Sequence, residues 1–187
     1  MLDEILASNE RFVREHSLPA IGHAPRKRTA VVTCMDCRLV ESFEPALGLK
    51  RGDVVELRTA GATISTPERE RGGNDLIRSL AGAIYLLGVR EVVVVGHTQC
   101  GLSHVSPEAV VASMQALGVD PQQLIEREGL GNADGLVRWI GAFYDVHLNV
   151  KEVVQAIRTS PYLPRIPVHG AVIDINTGKL ELVDRSE

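Results

Sequence analysis

The stretch "EVVVVGH", residues 91–97, decides the fold. Four successive valines without polar alternation read as a strand covered on both faces, as strands of parallel sheets in α/β proteins are. Just before it, "NDLIRSLAGAIYLLG" (74–88) puts Leu76, Ile77, Leu80, Ile84 and Leu87 on one helical face. Asn74 or Asp75 can cap the start of that helix, and Gly88 suits its end. Upstream, "TAVVTC" (29–34) and "DVVELRTAG" (53–61) are short β-branched runs, with a helical segment around 40–47 between them ending near Gly48. Downstream, "VHGAVIDI" (168–175) and "KLELV" (179–183) flank "NTG" and read as two strands joined by a tight hairpin. The span 106–160 reads as mostly helical, with breaks expected at Pro121, at 129–135 and at Pro161.

This alternation predicts right-handed crossovers and a mainly parallel sheet in a single α/β domain, residues 1–187. If the third strand lies beside the first, away from the second, the winding reverses between strands one and three. A crevice then opens at their carboxyl ends, where α/β sheets place ligands. Cys34 ends the first strand, and His97 and Cys100 follow the third. The core spans 29–183, preceded by a helical arm, 1–27. On that arm Leu2, Ile5, Leu6, Phe12 and Val13 form an apolar stripe that packs on its own domain or on another subunit.

Bulk properties exclude several function classes. The chain has 187 residues, 44% of them hydrophobic and 24% charged, with net charge −4. That balance argues against nucleic acid as a partner, and "RKR" (26–28) reads as a solvated face. No apolar run approaches the roughly 20 residues that span a bilayer, so no membrane partner is expected. The acidic start "MLDEILASNERFVREH" lacks a signal-peptide core. Three cysteines suggest metal or redox chemistry in a reducing compartment, with the cytoplasm as the default address.

The chemistry concentrates in "VVTCMDCRL" (31–39) and "GHTQCG" (96–101). His97 and Cys100, three apart, can direct both side chains to one point. Adding Cys34 makes a Cys₂His set suited to zinc, with three protein ligands leaving one tetrahedral position open, the mark of a catalytic site. Recruiting Cys37 as a fourth ligand would instead close a structural site, and Cys34-x-x-Cys37 alone would be a redox pair. Against closure, Met35 and Asp36 replace the usual glycine-containing turn, the core is not small, and Asp36 and Arg38 would have no role. Asp36 and Arg38, two apart, can point to the same side, where the guanidinium keeps the carboxylate ionised and oriented. Two thiolates and an imidazole cancel the charge of Zn²⁺, so water there should be less acidified than at a three-histidine site, and activity should rise towards alkaline pH.

With these motifs the sequence resembles the β-class carbonic anhydrases, most closely their small microbial branch. The resemblance rests on "CMDCR", "RTAGA" (58–62) and "GHTQCG", supported by 75–97 and by "PVHGAVIDINTGKLELV" (167–183). It implies one Zn²⁺ per chain held by Cys34, His97 and Cys100, with Asp36 and Arg38 as the catalytic dyad. In some members the aspartate becomes the fourth ligand and closes the site. The implied reaction is reversible hydration of CO₂ to bicarbonate and a proton by attack of zinc-bound hydroxide, with Gly61 and Ala62 shaping the CO₂ pocket. The implied architecture is four parallel strands plus a C-terminal antiparallel strand, in a homodimer or dimer of dimers whose N-terminal helix packs on the partner. Cys37 then becomes a bystander. A COS or CS₂ hydrolase on the same zinc site is the alternative enzyme, and a zinc protein closed by Cys37 the non-catalytic one. Thr59 stands where the family usually has asparagine, and "ISTPERERGG" (64–73) reads as a longer loop. Among the other histidines, His104 is near enough in sequence to relay protons, whereas His16, His23, His147 and His169 are read as structural or exposed.

Overall fold

A computed structural model describes residues 1–64 and 75–186. The long loop expected at 64–73, apart from Ile64, and the cap expected at Asn74 lie outside the described residues. The elements follow the order α1 (Leu2–Glu15), β1 (Thr29–Cys34), α2 (Phe43–Ala46), β2 (Val54–Thr59), α3 (Asp75–Leu87), β3 (Glu91–His97) and α4 (Pro107–Ala116). Then come α5 (Pro121–Arg127), α6 (Ala133–Ile140), α7 (Val146–Thr159), β4 (Val168–Ile173) and β5 (Leu180–Asp184). The expected strands are all present. The segment at 40–47 shortens to the single turn of α2, preceded by a one-turn 3-10 helix, Cys37–Leu39. The breaks expected at Pro121, at 129–135 and at Pro161 are present; α4 ends at Ala116 and Pro121 opens α5 at the first helical position, where its missing N–H costs nothing. An unforeseen break follows α6 at Gly141, which takes a left-handed conformation.

The sheet order is β2-β1-β3-β4-β5. Pairs β1–β2, β1–β3 and β3–β4 are parallel and β4–β5 is antiparallel, as the sequence implied. The winding reverses between β1 and β3. Thr33 pairs with Val95, and its hydroxyl donates to the Val95 carbonyl at 2.9 Å, which sets the ends of the two strands side by side. Cys34 and His97 therefore reach the same rim.

Strand periodicity divides the core. Val32, Val92 and Val94 pack with Leu80 of α3 and with Val150 and Val154 of α7 on one face. Val31, Val95, Leu39, Phe43 and Ile173 form the opposite layer, which also encloses Cys34 and Cys100. Helix α7 sits close to the sheet because β3 and β4 present glycines to it. A Cβ on Gly96 would lie 2.8 Å from Val150, and one on Gly170 would lie 2.6 Å from it. Helix α1 buries none of its residues, and Leu2, Ile5, Leu6 and Val13 stay more than half exposed. Its stripe does not pack on its own domain. Among the described residues, no helix is long and apolar enough to cross a membrane.

Candidate metal centre

Cys34, His97 and Cys100 meet at the reversal point, all buried, with their donor atoms within 4.8 Å of one another. The two sulfurs are 3.9 Å apart. Two sulfurs on one tetrahedral ion, each about 2.3 Å from it, would be separated by about 3.8 Å. The imidazole is oriented for the same task. Its Nδ1–H donates to the Thr98 carbonyl at 2.9 Å, leaving the lone pair on Nε2. That Nε2 is buried and has no hydrogen-bond partner among the described residues. An orphaned buried acceptor aimed at two sulfurs fits a thiophilic metal ion such as zinc. Cys37 is exposed and lies outside this cluster.

Charge in the cluster points the same way. Contact with Cys100, foremost, lowers the Cys34 thiol to about 4 despite burial, helped by His97 and by the backbone N–H groups of Asp36 and Gly61. Cys100 is pushed up in turn by that thiolate and by burial. Burial acts against a charged His97, yet Cys34, the Thr98 carbonyl and Asp36 together hold it above its ordinary value. Such a pocket of negative groups suits a cation.

Asp36 begins the turn after β1. Its Oδ1 accepts from the Arg38 backbone N–H at 2.9 Å and from Arg38 Nε at 3.0 Å, and its Oδ2 accepts from Arg38 Nη2 at 2.6 Å. This fork, foremost, lowers the carboxyl to about 2, with burial opposing and the backbone donor helping. The same Nη2 donates to the Gln99 carbonyl at 2.8 Å, so Arg38 ties the Asp36 turn to the loop carrying Cys100. Gln99 adopts a left-handed φ of 54°, a strained conformation that turns its carbonyl to this use. No side-chain pattern marks a backbone acceptor, so Gln99 was not legible beforehand. Asp36 Oδ2 lies 3.7 Å from His97 Nε2, beside the cluster but committed to Arg38.

Gly61 and Ala62 occupy a buried turn after β2 with φ of 64° and 54°. Thr59 contributes to it, since its hydroxyl donates to the Thr63 carbonyl at 3.0 Å. Across the cluster, Thr98 accepts from the Ile175 N–H and donates to Asp174, anchoring the loop to the β4–β5 hairpin. His104 and His147 share with His97 and Cys100 the walls of a cavity of about 260 Å³. His16 stacks on Phe12 within α1 and is exposed, as is His23, while His169 is half-buried against Glu91.

Comparison with known proteins agrees with this geometry. The family model described as carbonic anhydrase matches residues 29–180. The carbonic anhydrase homologue YtiB of Bacillus subtilis is 36% identical over 186 residues, 98% of this chain and 96% of that protein. The β-carbonic anhydrase isoform I of Trichomonas vaginalis superposes with a TM-score of 0.88 at 33% identity, covering 100% of this chain and 99% of that one. A carbon disulfide hydrolase of Acidithiobacillus thiooxidans is 28% identical over 167 residues, 86% of this chain and 79% of that protein. Motifs, topology and relatives converge: the chain belongs to the β-class carbonic anhydrase family of enzymes.

Proposed function

We propose that this protein catalyses the reversible hydration of CO₂ to bicarbonate and a proton, with one zinc ion per chain held by Cys34, His97 and Cys100. The observation that carries the reading is the buried Nε2 of His97, without a hydrogen-bond partner among the described residues, facing two sulfurs beside an aspartate gripped by an arginine. A bound zinc supplies a Lewis acid that makes water a nucleophile near neutral pH. Ionised Asp36 only accepts hydrogen bonds, so it orients the attacking water with a lone pair towards the carbon of CO₂. Arg38 keeps Asp36 in that role. Gly61 and Ala62 shape the CO₂ pocket with their backbone, and the released proton passes to solvent or buffer.

Stopped-flow CO₂ hydration across pH tests the reading. Turnover is expected to rise between about pH 7 and 9, because two thiolates weaken the acidifying power of the metal. Asp36 cannot be the group titrating there. Its lowered carboxyl contributes stability that is complete above its ordinary value of 3.8 and is lost only as pH falls through about 2. A flat profile with no turnover would remove the reading. A second reading, hydrolysis of CS₂ or COS, is favoured by the related carbon disulfide hydrolase, and turnover on CS₂ with none on CO₂ would select it. For a non-catalytic zinc protein, metal-edge spectroscopy would count three sulfurs, with Cys37 as the third; our reading requires two.

The reading extends to a homodimer or dimer of dimers in which α1 of one chain packs on its partner, supported by the exposed apolar stripe of that helix. Deleting residues 1–16 is expected to reduce the sedimenting mass, and an unchanged mass would dismiss this role. A cytoplasmic address is consistent with three free cysteines.

A further inference from the structure

Asn149 is a polar residue at the N-terminal end of the buried face of α7, only 6% exposed and followed on that face by Val150, Val153, Val154 and Ile157. A buried amide among valines is costly unless it is hydrogen-bonded. Its Nδ2 donates at 3.1 Å to the carbonyl of Gly61, 88 residues earlier in the chain. That carbonyl belongs to the turn in which Gly61 and Ala62 both hold positive φ. For Ala62 this conformation is strained and persists only if its surroundings impose it. The turn has little freedom on its other side, since a Cβ on Gly61 would lie 2.8 Å from Phe143. The turn starts directly beside the cluster, because β2 pairs Thr59 with Cys34 and the Met35 N–H donates to the Thr59 carbonyl at 3.0 Å. A connected path thus runs from α7 through the Gly61 turn and Thr59 to the end of β1, where Cys34 sits.

We infer that Asn149 is a positioning residue for the metal centre: by fixing the Gly61–Ala62 peptide it holds the left-handed turn in place beside Cys34. The inference rests on the metal-site reading above, though not on the choice between CO₂ and CS₂. The peptide unit is planar, so directing the Gly61 carbonyl to Asn149 also directs the Ala62 N–H to the opposite side. Helix α7 is itself a rigid reference. The two glycines beneath it let it lie against β3, the strand that ends in His97. One helix therefore registers the turn beside Cys34 against the strand that delivers the imidazole.

The decisive comparison is between Asn149→Leu, which keeps volume but removes the donor, and Ile157→Ala, which weakens the same helix without touching Gly61. Zinc affinity is measured by competition with a chromophoric chelator, and ligand geometry by the visible absorption of the cobalt-substituted protein. In Asn149→Leu, zinc affinity is expected to fall about 10- to 100-fold, the usual effect of losing a group that supports a ligand, with altered cobalt bands. In Ile157→Ala both readouts are expected to match wild type although its melting temperature falls. Should Asn149→Leu fail to fold, Asn149→Ala replaces it with the same expected loss. Wild-type affinity and cobalt bands in the Asn149 variant, or the same change in Ile157→Ala at equal melting temperature, would overturn the inference. Wild-type protein that binds neither metal would instead overturn the metal-site reading on which it rests.

Discussion

Replacing Cys34 with serine is expected to reduce zinc from one ion per chain to almost none, and to lower CO₂ hydration by at least about 1,000-fold. A hydroxyl is a poor substitute for a thiolate at zinc, and the remaining pair, His97 and Cys100, grips too weakly. The Cys34 sulfur stands 3.9 Å from that of Cys100, and contact with Cys100 and His97 favours the thiolate there. The substitution should leave the fold intact because Cys34 ends its strand and serine is nearly isosteric. Stability gives a second readout. With free zinc about 1,000-fold above its dissociation constant, binding stabilises the folded state by about 4 kcal/mol. Chelation should therefore lower the melting temperature of wild type and leave that of Cys34→Ser unmoved. Full zinc content in the serine variant would show that the metal is held elsewhere.

Asp36→Asn is expected to separate binding from turnover. The asparagine side chain is neutral and carries its own donors, so it cannot serve as a pure acceptor for the attacking water. Zinc content should remain one per chain, because Asp36 is engaged by Arg38 rather than by the cluster. Turnover should fall about 100-fold or more, the scale on which positioned acid–base groups act. Stopped-flow hydration with parallel metal analysis checks both halves. Unchanged turnover would remove Asp36 from the mechanism. Loss of zinc would instead make it a ligand, a role within reach given its 3.7 Å separation from His97 Nε2. The fork from Arg38 and that guanidinium's further bond to the Gln99 carbonyl fix the orientation of the carboxylate.

How the site reads from sequence depends on the kind of residue concerned. Cys34, His97 and Cys100 were legible because their side-chain chemistry is rare and their spacing places them at strand ends. Asp36 and Arg38 were legible because opposite charges two positions apart in a turn readily pair. Gln99 was not, since it contributes a backbone carbonyl that any residue carries. Asn149 left a fainter sign, a polar residue within the apolar stripe of Val146, Val150, Val153, Val154 and Ile157, and its partner lies 88 positions away. The break at Gly141 was missed because the apolar pattern continues on both sides of it, and only its left-handed backbone ends α6.

By itself the sequence determined the α/β class, the five strands and the cysteine–histidine set, because hydrophobic period and ligand chemistry are local properties of the chain. Tertiary structure alone decided that Cys37 faces solvent, that the Cys34 and Cys100 sulfurs stand 3.9 Å apart, and that α1 leaves its apolar face uncovered. It also decided that the Gly61 turn is held from α7. These facts depend on how distant segments pack. A functional constellation must be held to within about 0.5 Å, and no local pattern encodes such distances between a helix and a glycine-lined strand.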